Sequence, residues 1–252
     1  MKIKRKKIMS WLTIITVLIG VYSLITVGAA ADNNDRSTNQ ELTLSKACSL
    51  GDLTAVKKII AAKPKFNGVD SEGNTALHQA CLGNHPEIAA LLIANGVNIN
   101  AKNNWGEAPL FNACTNGFNE LVKLLLAKGA NLNQKDRFGR TAFWGAVSQG
   151  RSSTVALLIN RGANLFGKDG SGKTVLFAAV ESGNQELVGL LIAKRIAVAC
   201  PDNEGNTPLH AACAGGKSEI AELLIAKGAD VNARNKAGET PLFLTCKQEQ
   251  EQ

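Results

Sequence analysis

Gly73, Gly106, Gly139, Gly172, Gly205 and Gly238 follow one another at intervals of 33 residues without an insertion. A fixed period of this length requires one structural unit stacked repeatedly along the chain. The same phrase surrounds the glycines: Asp70 to His78 reads DSEGNTALH, Asp202 to His210 reads DNEGNTPLH and Asn235 to Phe243 reads NKAGETPLF. A unit this short cannot bury its own apolar face, so neighbours must stack, and stability becomes a sum of unit and interface terms.

Local chemistry divides each unit into two helices and a hairpin loop. Thr207-Pro208 and Thr240-Pro241 mark starts of a first helix, where a threonine hydroxyl caps orphan amides and proline loses nothing. A second helix follows, with Ile88, Leu91 and Leu92, then Leu121, Leu124 and Leu125, then Ile220, Leu223 and Leu224 spaced i, i+3, i+4. Gly96, Gly129, Gly162 and Gly228 stop these helices by taking the left-handed conformation. Arg195 stands in the same slot, where that conformation costs about 1 kcal/mol or more. An irregular turn is therefore expected before the hairpin that carries Cys200.

These residues resemble the ankyrin repeat family, and the resemblance covers residues 42–252. It implies an all-α repeat solenoid of helix-turn-helix units joined by β-hairpin loops. Seven units are expected: 42–69, 70–102, 103–135, 136–168, 169–201, 202–234 and a partial 235–252. The first lacks the hairpin phrase. The last stops after one helix in a polar tail, KQEQEQ, which either caps the open end or leaves apolar surface for a partner.

Residues 1–31 are of another kind. Lys2, Lys4, Arg5, Lys6 and Lys7 precede an apolar run from Ile8 to Val27, followed by Gly28-Ala29-Ala30-Ala31-Asp32. This is the layout of a secretory signal cleaved after Ala31. A run of about 20 apolar residues is also long enough to anchor the chain in a membrane. Residues 32–41 read as a polar linker. Export to a bacterial periplasm, cell envelope or medium is the expectation, with membrane anchoring through residues 8–27 as the alternative.

The targeting segment carries five of the 28 basic residues and none of the 21 acidic ones, leaving a net charge of +2 for the rest. No clustered basic face remains for a nucleic acid. Cys48, Cys81, Cys114, Cys213 and Cys246 share one repeat position, filled elsewhere by Val147 and Val180. The resemblance places that slot inside the first helix, with units about 10 Å apart and beyond the roughly 7 Å reach of a disulfide. Buried, unpaired thiols are expected there, with Cys200 the exposed, reactive one.

Two apparent chemical motifs dissolve in the repeat. Gly167 to Thr174, GKDGSGKT, matches the phosphate-loop pattern, but Gly172 and Thr174 are the repeat's own glycine and threonine, and no strand precedes them. A nucleotide-binding enzyme is thus the remote alternative. His78 with Cys81 and His210 with Cys213 suggest metal ligands, yet the pairs lie four units apart and each histidine belongs to the helix-start phrase. His85 is the third histidine; no catalytic constellation, metal or cofactor site is expected.

The resemblance implies a concave protein-binding groove made of hairpin tips and the exposed side of the first helices. Carried onto this sequence, its tips hold Ser71 and Glu72, Asn104 and Trp105, Arg137 and Phe138, Gly170 and Ser171, and Asn203 and Glu204. Glu107, Arg140 and Lys173 share the edge. Trp105 and Phe138 are the expected anchors for a partner protein, supported by Arg137, Arg140, Asn104 and Glu107. Trp144, beside Phe111 and Phe177, is a further candidate that equally suits packing between units. Ala108 loses the capping hydroxyl at a cost of roughly 1 kcal/mol. The expected protein is a monomeric, exported, non-catalytic scaffold that binds another protein, with a membrane-anchored adaptor or a secreted effector that binds a protein of another cell as the alternatives.

Overall fold

The computed structural model describes residues 44–62, 66 and 68–250; the predicted signal and linker lie outside them. Six helix pairs and a final single helix follow in order. They are α1 (residues 44–50) with α2 (Leu53–Ala61), α3 (Ala76–Leu82) with α4 (Pro86–Ala94), and α5 (Pro109–Asn116) with α6 (Asn119–Ala127). Next come α7 (Ala142–Ser148) with α8 (Ser152–Asn160), α9 (Val175–Ser182) with α10 (Gln185–Ala193), α11 (Pro208–Ala214) with α12 (Ser218–Ala226), and α13 (Pro241–Gln250). From α3 to α11, each odd-numbered helix packs on its even-numbered partner and on the odd-numbered helices of neighbouring units, and α13 packs on α11. This is an all-α repeat solenoid with no sheet among the described residues, only isolated bridges such as Lys135 with Thr141 at the hairpin bases.

Burial follows the period. Leu92, Leu125, Leu158, Leu191 and Leu224, spaced 33 apart on the second helices, are completely buried. Each contributes about 1.5 to 3 kcal/mol through its removal from water. On the first helices Leu77, Leu110, Phe143, Leu176 and Leu209 form a parallel buried lane. Leu242 occupies the same slot in α13 but is 69% exposed, because α13 has no second helix packed over it among the described residues.

A second lane of left-handed residues joins first to second helices: Gly51, Asn84, Gly117, Gly150, Gly183 and Gly216 all have positive φ. It went unread in the sequence, although its spacing is also 33. Arg195 corrects an expectation. Its φ is +64°, yet its amide donates to Ile192 O at 2.8 Å and the next amide, of Ile196, donates to Leu191 O at 3.2 Å. Gly162 and Ala163 make the same two bonds one unit earlier, so the turn is regular and the strain is borne locally. Arg195→Gly should relieve it, raising stability by about 0.5 to 1 kcal/mol after glycine's greater unfolded-state entropy is subtracted. Urea denaturation checks this, and a destabilised variant would contradict it.

Candidate functional site

Each hairpin tip is built around one Asp or Asn carried by the repeat. Asp136 Oδ1 accepts the amides of Phe138 and Arg140, both at 2.8 Å; Asn103 Oδ1 accepts those of Trp105 and Glu107 at 3.0 and 2.9 Å. Asp70, Asp169, Asp202 and Asn235 repeat the pattern. Tips are then tied to one another by single backbone bonds: Asn104 N–H to Glu72 O, Arg137 to Trp105, Gly170 to Phe138, Asn203 to Ser171 and Lys236 to Glu204, at 2.7 to 3.0 Å. A side chain on one tip is thereby held beside its counterpart on the next.

Trp105 and Phe138 are half-exposed, at 42% and 44%. The Arg137 guanidinium lies over both, 4.0 Å from the Trp105 ring centroid and 4.7 Å from that of Phe138. Arg140 continues the stack, 4.7 Å from Phe138 and 6.0 Å from Phe111. Such contacts contribute about 0.5 to 1 kcal/mol each where exposed. Arg140 is further fixed by Asp136: its Nε donates to Oδ2 at 2.8 Å and Nη2 lies 2.7 Å from the same oxygen. Trp105, Arg137, Phe138 and Arg140 are thus one alternating ladder across two adjacent tips.

The remaining candidates serve the framework. Asn104 donates its side-chain amide to Ser71 O at 3.1 Å, and Glu107 accepts from the Asn103 side chain at 3.2 Å while its carbonyl oxygen lies 3.0 Å from His78 Nε2. Trp144 is 8% exposed and sits in the core with Phe111, so in this array it packs units together and is not offered to a partner. A first-helix side chain is enclosed by its own second helix and the first helices of neighbouring units, whereas a tip side chain meets only adjacent tips. Beside Trp105 opens a cleft of ≈ 370 Å³, with Leu82 and Phe111 as apolar lining and Glu72, Asn74, Glu107, Asn112, Thr115 and Asn116 around them.

Gly167 to Thr174 does not form a phosphate cradle. The Gly170 amide donates to Phe138 O, Gly172 to Asp169 O, and Ser171 and Lys173 to Asp169 Oδ1. Lys173 Nζ donates to Glu181 at 2.6 Å. An anion would have to displace a carboxylate already placed by the repeat. Thr174 Oγ1 is buried without a hydrogen-bond partner, unlike Thr75, Thr141 and Thr207, which accept the amide three residues on. Among the described residues no cluster of His, Cys, Asp and Glu is placed to hold a metal.

Burial along the cysteine lane falls toward the carboxyl-terminal units. Cys48, Cys81 and Cys114 are buried, but Cys213 is half-buried and Cys246 exposed, contrary to the expectation of uniform burial. Cys200, expected to be the exposed thiol, is half-buried. Burial pushes the Cys48 thiol up to about 12, and those of Cys81 and Cys114 higher, suppressing the reactive thiolate. A thiol reagent at pH 8 should therefore modify Cys246 first and leave Cys48, Cys81 and Cys114 untouched until denaturant is added. Peptide mass spectrometry reads the order, and rapid native labelling of the buried three would contradict it.

The family model for ankyrin repeats, in three copies, matches residues 17–103, 95–169 and 146–235. The ankyrin repeat domain of Bcl-3, described as a unique member of the IkappaB protein family, is similar at 27% identity and a TM-score of 0.68. That alignment covers 80% of this chain and 92% of that one. The human ASB11 ankyrin repeat domain is similar at 30% identity and a TM-score of 0.72, covering 80% of this chain and 90% of its own. Among curated proteins no sequence matches. With repeat phrase, helix pairs, hairpin seam and family model in agreement, the chain belongs to the ankyrin repeat family, whose repeats generally mediate protein–protein interaction.

Proposed function

We propose that this protein is an exported, non-catalytic scaffold that binds another protein through the hairpin tips and first helices of its second to fifth units. The observation that carries the reading is the half-exposed pair Trp105 and Phe138, braced by Arg137 between them. Two large rings kept partly in water and held rigid lose little side-chain entropy when a partner covers them. Export rests on the charged, apolar and small-residue layout of residues 1–31 and favours a bacterial envelope or secreted protein. The membrane-tethered reading shares the scaffold role and differs in keeping the apolar run Ile8 to Val27. Among the described residues no helix is long and apolar enough to cross a membrane.

Crosslinking capture from cell envelope and medium tests the binding role, comparing the native chain with Trp105→Ala/Phe138→Ala after equal folding is verified. Recovery of the specific partner should fall at least about tenfold, the effect of losing one well-covered aromatic contact. A partner retained equally by both chains would move the site elsewhere. Mass-spectrometric sequencing of the mature amino terminus separates cleavage after Ala31 from retention of the anchor.

A further inference from the structure

We infer that the tip formed by Trp105, Arg137 and Phe138 is a carboxylate-binding site, and that the partner presents an acidic side chain to Arg137 beside an apolar one. This rests on the hairpin face being a protein-binding surface and names the chemistry of what binds there. The Arg137 side chain is exposed, and its guanidinium lies over the Trp105 and Phe138 rings at 4.0 and 4.7 Å. Ring stacking engages the faces of the planar group; its N–H donors lie in the plane and point outward from the edges. Among the described residues those edges meet no carboxylate.

The neighbouring cations are already matched. Arg140 is paired with Asp136 at 2.7 Å, and Lys173 with Glu181 at 2.6 Å. One unmatched positive charge therefore stands on the tip, on a side chain whose stack restrains its rotamers. A fork so held fits a carboxylate through two parallel hydrogen bonds and loses less entropy than a free arginine would. A phosphate dianion fits less well, because Arg140 and Lys173 are not free to share its charge and Glu72 and Glu107 line the cleft that shares Trp105. The cleft supplies the second half of the preference. Its ≈ 370 Å³, lined by Leu82, Trp105 and Phe111, accepts one apolar side chain next to the acidic residue.

Random twelve-residue peptides displayed on phage and selected on the full chain test the inference. The expected result is enrichment of Asp or Glu adjacent to Leu, Ile, Phe or Met. Synthetic versions should bind about tenfold or more weakly to Arg137→Gln, or when their acidic residue becomes Asn or Gln. Enriched peptides that lose affinity with Trp105→Ala but show no acidic preference would overturn this inference and leave the hairpin face as the binding surface. Peptides that bind tighter with phosphoserine at the acidic position would overturn the choice of carboxylate. Peptides indifferent to Trp105→Ala/Phe138→Ala, or no enrichment at all, would count against both.

Discussion

Gly106→Ala should destabilise the array by about 3 kcal/mol, whereas Gly129→Ala should cost about 1 kcal/mol. Both glycines have positive φ, +76° and +89°, so a methyl group strains the backbone at either position. They differ in what the methyl meets. At Gly129 there is nothing within 4 Å; at Gly106 a Cβ would lie 2.7 Å from the Arg137 backbone nitrogen and 3.2 Å from the Asp136 carbonyl carbon. Backbone cannot rotate away as a side chain would. The hairpins of the third and fourth units would have to separate, stretching the Arg137 N–H bond to Trp105 O that spans 3.0 Å and adding about 1 to 3 kcal/mol to the strain. Urea denaturation followed by circular dichroism measures the difference. Equal losses would mean that the seam between tips carries no stability.

His78→Ala should cost about 3 to 4 kcal/mol, combining a cavity with backbone groups left unpaired. The imidazole is completely buried and joins two units. Its Nδ1 accepts the Thr75 amide at 3.1 Å, and Nε2 lies 3.0 Å from Glu107 O, so the neutral ring carries its hydrogen on Nε2 and donates it to that carbonyl. Burial lowers its pKa from the ordinary 6.5, outweighing the upward pull of the Glu107 carbonyl and the Asp70 carboxylate. The unfolded chain therefore takes up a proton at higher pH than the folded one. This contribution to stability is complete above about pH 6.5 and declines as pH falls below it toward the folded-state pKa. Denaturation midpoints at pH 7.5 and 5.5 should differ in the native chain and differ less in His78→Gln. An unchanged difference would show that other groups carry the pH dependence.

The period, the Thr-Pro helix starts and the second-helix leucines were legible because each is a local rule repeated every 33 residues. The lane of Gly117, Gly150, Gly183 and Gly216 was equally regular, but Asn84 interrupts it and draws the eye away. What could not be read were facts about neighbours. Trp105 and Trp144 are the same residue type, and only their place relative to adjacent units makes one half-exposed and the other core. Cys246 shares its register with Cys81 but lacks the packing around it. Thr174 and Thr207 hold the same phrase position, yet only Thr207 makes its cap. The matching of Arg140 to Asp136, which leaves Arg137 alone, depends on hairpin geometry that composition does not specify.

The seam of single backbone bonds from Glu72 to Lys236 presents nearly the same ledge at every step. A ligand reading only that ledge would have several equivalent places to sit, and could slide from one to the next. Spread over about six alternatives, the ambiguity is equivalent to RT ln 6, or about 1 kcal/mol. Trp105 and Phe138 remove the degeneracy, since the corresponding positions elsewhere hold Glu72, Ser171, Glu204 and Ala237. A partner bound as proposed would meet the aromatic pair as an index mark on a uniform scale: the pair would give it one alignment, which a surface of identical repeats could not do.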